Sequence, residues 1–248
     1  MLGMTRREAS LIALLLVLAS VAIYAINYAV FGSARSELRT AVDNLAFLPL
    51  QVLFVTLLIS RVFAEREKET RRDKMNMVIG TFFSAVGQRL LQFMGRLLAD
   101  EGQICGHLRL DPSWTEEQMR EAMRFVEGAK FDIVPDPDVL EPLRDLLGTQ
   151  RDLMLRLLEN PILLEHEEFT DCLWAVFHLE EELVARESLR NLPAPDIAHL
   201  GVDAERAYSH LLVQWLAYMI HLRQAYPFLF SFLARTNPLR PGARAEIV

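Results

Sequence analysis

The chain has no strand-like alternation longer than four residues, no internal repeat and no low-complexity tract. Helix is the regular structure such a pattern leaves, and the predicted fold class is all-α. Familiar chemical signatures are missing too: there is no glycine-rich phosphate loop, no GxSxG, no HExxH and no CxxC. The lack of a TVGYG-like filter argues against a two-span potassium channel. The two cysteines, Cys105 and Cys172, stand apart in the sequence and suit a reducing cytoplasm better than a disulfide framework. Basic charge is scarce where a nucleic-acid face would need it. Residues 75–248 carry 16 Lys+Arg against 26 Asp+Glu, giving −10, whereas residues 1–74 carry 10 against 7, giving +3. The larger part is repelled by phosphate, so nucleic acid is set aside as a partner.

Two further absences point to a membrane. No charged residue lies between Ala9 and Ala34. The core of that run, Ser10 to Phe31, is long enough as a helix to cross about 30 Å of hydrocarbon. Tyr24, Asn27 and Tyr28 sit near its far end, where amphipathic rings favour the interface. The second absence is of glycine and proline between Leu50 and Lys74. There the apolar run Leu45 to Phe63 passes into Ala64 to Lys74, where nine of eleven residues are charged. Arg61 near the end of the second run is able to snorkel to headgroups, and Pro49 is read as lying in the first turns. A composition of 52% hydrophobic residues with a mean hydropathy of +0.17 fits two spans attached to a soluble domain.

The predicted organisation is a transmembrane hairpin over residues 1–63, with spans at about 10–31 and 45–63. A charged stalk helix follows over 64–74, then a cytoplasmic helical domain over 75–248. The loop Gly32 to Asn44 carries only Arg35 and Arg39, whereas Arg6, Arg7 and the cluster from Arg61 to Lys74 flank the other side. The positive-inside rule places both termini in the cytoplasm. The rival reading is a signal peptide cut near Ser20-Val21-Ala22; the uncharged run continuing to Ala34 favours an uncleaved anchor.

In the soluble part, Met75 to Leu98 has helical spacing at Ile79, Phe82, Phe83, Val86, Leu90, Phe93 and Leu97, with a small-residue strip at Gly80, Ser84 and Gly87. That strip fits one close-packed neighbour, an interfacial helix or a dimer contact. A loop from Gly102 to Pro112 precedes a capping box at Ser113 to Glu116 and a helix to about Gly128. Two short helices are predicted at Val139 to Leu147 and Thr149 to Glu159. One longer helix is predicted from Pro161 to Leu192, where LPAP stops it. Its buried stripe is Phe169, Cys172, Leu173, Val176, Leu179 and Leu183. The last helix is expected from Asp203 to Arg235. Arg223, His221, Gln224 and Pro227 argue against reading its apolar body as a third span.

One cluster bears on chemistry. Glu167, Asp171, His178 and Glu182 share a face of the Pro161 helix, and just beyond it Asp196, His199 and Asp203 follow. His178, Glu182, His199 and Asp203 together would make a mixed imidazole and carboxylate site for Zn or Mn. The competing reading is a solvated acidic face with ordinary i,i+4 pairs. His210 and His221 are read as core or groove histidines, and the cysteines as buried thiols.

Three stretches, Met75 to Gly87, Leu173 to Leu183 and His221 to Pro238, resemble a group of uncharacterised bacterial membrane proteins with an N-terminal hairpin and a helical C-terminal part. The resemblance implies a bacterial inner-membrane protein and transfers no activity or catalytic residue. The leading expectation is a membrane-tethered interaction or sensory module without catalysis or cofactor. Its partners would be the lipid bilayer and another protein or a second copy of itself. The alternative is a membrane-bound metalloenzyme using the His178 to Asp203 cluster with Zn or Mn.

Overall fold

A computed structural model describes residues 6–31, 36–100, 108, 110–111, 113–164, 166–240 and 242–246. No β-strand occurs among them; one isolated antiparallel bridge pairs Leu98 with Ile133. The chain divides into two units, Met1–Thr70 and Arg71–Val248.

The first unit holds α1 (Arg6–Phe31) and most of α2 (Ser36–Phe82). The expected loop Gly32 to Asn44 is corrected: α2 begins at Ser36, because SELRTAVD contains no helix breaker, and residues 32–35 lie outside the described ones. Pro49 consequently sits well inside α2, not in its first turns. It removes the N–H that the Leu45 carbonyl would accept. In the same turn, the Ser20 hydroxyl of α1 donates to the Ala46 carbonyl at 2.6 Å. About two turns beyond Ser20 on α1, Asn27 Nδ2 donates to the carboxylate of Asp43, which lies about one turn before Ala46 on α2.

Burial in this unit is the inverse of a soluble protein. Ser20, Asn27 and Ala46 are its buried residues among those described. Leu11, Leu14, Leu15, Leu18, Val21 and Ile26 on α1, and Phe47, Phe54, Leu57, Leu58 and Phe63 on α2, are exposed. The charged stretch from Ala64 to Lys74 remains helical and is exposed on every side.

The second unit begins with the end of α2. A π-helical turn, Phe83–Gly87, follows and leads into α3 (Gln88–Gly95). Ile79, Phe82, Phe83, Val86, Leu90 and Leu97 are buried, and Phe93 is half-buried. The neighbour of the small-residue strip is Tyr218: a Cβ on Gly80 would lie 2.8 Å from its Oη. Gly87 meets its own helix instead, and Ser84 is exposed.

Next come α4 (Glu116–Gly128), α5 (Pro137–Leu158), α6 (Pro161–Leu164), α7 (Glu167–Val184), α8 (Ala194–Ala225) and α9 (Pro227–Arg235). Several boundaries differ from the expected ones. The capping box of α4 is Thr115 with Gln118, two residues beyond Ser113. The two helices expected between Val139 and Glu159 are one, α5, because flanking strong helix formers outweigh the roughly 1 kcal/mol cost of Gly148. The helix expected from Pro161 to Leu192 breaks at His166, whose Nδ1 accepts from the Phe169 N–H and caps α7, and it ends at Val184. Its stripe from Phe169 to Leu183 is buried as expected.

α8 is the centre of this unit and packs against α3, α4, α7 and α9. It starts at Ala194, not Asp203, with Pro193 and Pro195 placed where a helix start tolerates them. Tyr208, Leu211, Leu212, Trp215, Leu216 and Met219 are fully buried, each large apolar side chain contributing about 1.5–3 kcal/mol. The chain breaks at Tyr226 before Pro227, so the expected single last helix is α8 plus α9.

Candidate metal centre

The site forms where α7 ends and α8 begins, on either side of the connection over residues 185–193. His178 and Glu182 stand one turn apart on α7, and His199 and Asp203 one turn apart on α8. Packing of the two helices carries these pairs together. Asp203 Oδ2 lies 3.4 Å from His178 Nε2 and 3.3 Å from His199 Nε2. Glu182 completes the ring, with Oε1 3.9 Å from His178 Nε2 and Oε2 3.6 Å from His199 Nε2. One atom each from His178, Glu182 and Asp203 fall within 4.8 Å of one another.

Burial is graded across the four. The Asp203 side chain is 2% exposed, Glu182 26%, His178 44% and His199 52%. Arg206 Nη1 donates to Asp203 Oδ1 at 3.1 Å, while Oδ2 is buried and receives no hydrogen bond. Arg186 donates to Glu182 Oε2 at 2.8 Å and grips Asp196 with two donors, at 2.6 and 3.0 Å. Its hydrogen bond to Glu182 holds that carboxyl below the usual value, against the opposing effect of burial.

All four expected residues therefore converge, and Asp196 joins them through Arg186. Glu167 and Asp171 do not; Asp171 is about 10 Å further along the α7 axis from His178 and lines a separate groove with Glu168, Glu205 and His210. His221 lines another groove, of ≈ 530 Å³, with Gly80, Tyr218 and Tyr226. Burial lowers its pKa, with Asp73 pulling the other way. Cys172 is buried, and burial raises its thiol pKa far out of the reactive range; Cys105 lies outside the described residues. Arg186 and Arg206 were not singled out by sequence. Their signal was the register: Arg186 follows Glu182 by four, and Arg206 follows Asp203 by three.

Two family models match the chain. One is described as the C-terminal helical domain of uncharacterized protein MJ1433 and covers residues 71–235; the other, the N-terminal helical domain of MJ1433, covers residues 5–63. The chain belongs to the MJ1433 family. Uncharacterized protein MJ1433 of Methanocaldococcus jannaschii is 40% identical over 233 residues, covering 94% of each chain. No solved structure matches. This MJ1433 relative is archaeal, so the bacterial source implied by the resemblance is not carried further. Both family domains are described as helical, with no activity assigned to either.

Proposed function

We propose that this MJ1433-family chain is an integral membrane protein that tethers a non-catalytic helical module, used for interaction or sensing, to the cytoplasmic face. The observation that carries this reading is the inverted burial of the first unit. Water would penalise its exposed leucines and phenylalanines, whereas hydrocarbon would not. Ser20 and Asn27 face the partner helix, where lipid-embedded polar side chains find hydrogen bonds. The uncharged helix Ser10–Val30 has 21 residues, and Leu45 to Phe63 would span about 28 Å.

Membrane fractionation followed by alkaline carbonate extraction tests insertion, and release of the chain into the supernatant would refute it. A reporter fused after Val248 tests topology and is expected to be active only in its cytoplasmic form. Activity of an export-dependent reporter at that position would overturn the orientation. An N-terminus lost at Ser20 in the purified protein would favour the cleaved signal peptide.

A further inference from the structure

We propose that His178, Glu182, His199 and Asp203 bind one zinc-class divalent ion that clips the end of α7 to the start of α8. The inference stands independently of the membrane reading. Ligands about 2.0–2.2 Å from a tetrahedral zinc ion lie about 3.3–3.6 Å from one another. Asp203 Oδ2, at 3.4 and 3.3 Å from the His178 and His199 ring nitrogens, falls in that range; Glu182 offers Oε2, which Arg186 also holds, 3.6 Å from His199 and Oε1 3.9 Å from His178. The second observation is Asp203 itself. It is almost wholly buried, and its Oδ2 faces both imidazoles without accepting a hydrogen bond. A buried carboxylate oxygen that accepts no hydrogen bond and lies between two ring nitrogens is placed to share a cation with them.

The surrounding residues behave as an outer shell. Arg206 occupies Oδ1 and so aims Oδ2 inward; Arg186, anchored on Asp196, orients Glu182. Two nitrogen and two oxygen donors suit zinc better than magnesium or calcium. Donor atoms of His178, Glu182 and Asp203 lie within 4.8 Å of one another, and His199, which reaches the same two carboxylates, would supply the fourth donor of a structural ion. With two ligands on each helix, the ion would cross-link residues separated by the 185–193 connection. Two histidines near half exposure leave it able to exchange with solvent.

The test uses the full chain purified in detergent and stripped with a chelator. Cobalt(II) is titrated first, then zinc. The expected result is one cobalt per chain with the intense visible bands of a four-coordinate ion, displaced by zinc. His178→Ala and His199→Ala should abolish the bands and weaken zinc by more than the roughly 10–100-fold that follows loss of an outer-shell partner. Arg206→Gln should fall within that 10–100-fold range. His199 is half exposed, so His199→Ala is expected to keep the helical circular dichroism and to read binding alone. The faint spectrum of six-coordinate cobalt, no zinc binding at micromolar concentration, or undiminished binding in both histidine variants would overturn the proposal.

Discussion

Gly80 and Tyr218 approach so closely that a Cβ on the glycine would stand 2.8 Å from the tyrosine Oη and 3.2 Å from Cζ. The ring cannot easily retreat, because it is buried and stacked on Phe83 at 5.6 Å with an interplanar angle of 11°. Gly80→Val is therefore expected to destabilise the protein by about 1–3 kcal/mol, the usual cost of overpacking. Gly148 is the control. It lies within α5 with nothing inside 4 Å of its added Cβ, so Gly148→Ala should stabilise by about 0.5–1 kcal/mol. Denaturant unfolding of the two variants in detergent should move their midpoints in opposite directions.

Glu180 and Arg151 form an ion pair in which the carboxylate is 2% exposed and the guanidinium 39%. Burial raises the Glu180 pKa, and Arg151 pulls it back down. A raised folded value means the native state keeps this proton to higher pH than the unfolded chain does. Stability is thus lost as pH rises from about 4.5 through the folded pKa. Arg151→Ala removes the compensating charge. It should cost about 1–3 kcal/mol near pH 7 and less near pH 5, where protonation spares the buried charge. Unfolding curves of wild type and variant at both pH values check the widening gap.

Glu182 shows the opposite sign. Its hydrogen bond from Arg186 lowers the folded pKa below 4.5. The stabilisation is fully present above that value and is lost as pH falls through the folded pKa. In chelator-treated protein, Arg186→Gln should flatten this part of the acid limb. An unchanged slope between pH 5 and 3 would show that the pair contributes nothing to stability.

Zinc binding to the folded state alone should stabilise it by about 2.7 kcal/mol at a hundredfold excess over Kd. The thermal midpoint should rise with zinc in wild type and stay fixed in His178→Ala. Binding needs neutral imidazoles, so the shift should shrink on acidification. A shift that survives His178→Ala would place the ion elsewhere.

The helical class, the apolar lengths of the first two helices and the charged stretch between Ala64 and Lys74 follow from residue order alone, because they depend on local period and composition. The stripe from Phe169 to Leu183 was legible for the same reason: a helix's apolar face is written at 3.6-residue spacing. The types of the four site residues were legible too, as were the i,i+4 pairs within α7 and within α8. Their meeting in one site was an expectation that only tertiary packing decides. His178 and His199 are separated by a connection whose ends depend on tertiary packing: α7 stops at Val184 instead of Leu192, and α8 starts at Ala194 instead of Asp203. Had α8 begun at Asp203, His199 would not be one helical turn before it and the second pair would not form. The burial that leaves Asp203 Oδ2 without a donor is likewise absent from any local pattern. It arises because α8 packs against α7 there, and the Arg206 guanidinium is committed to Oδ1.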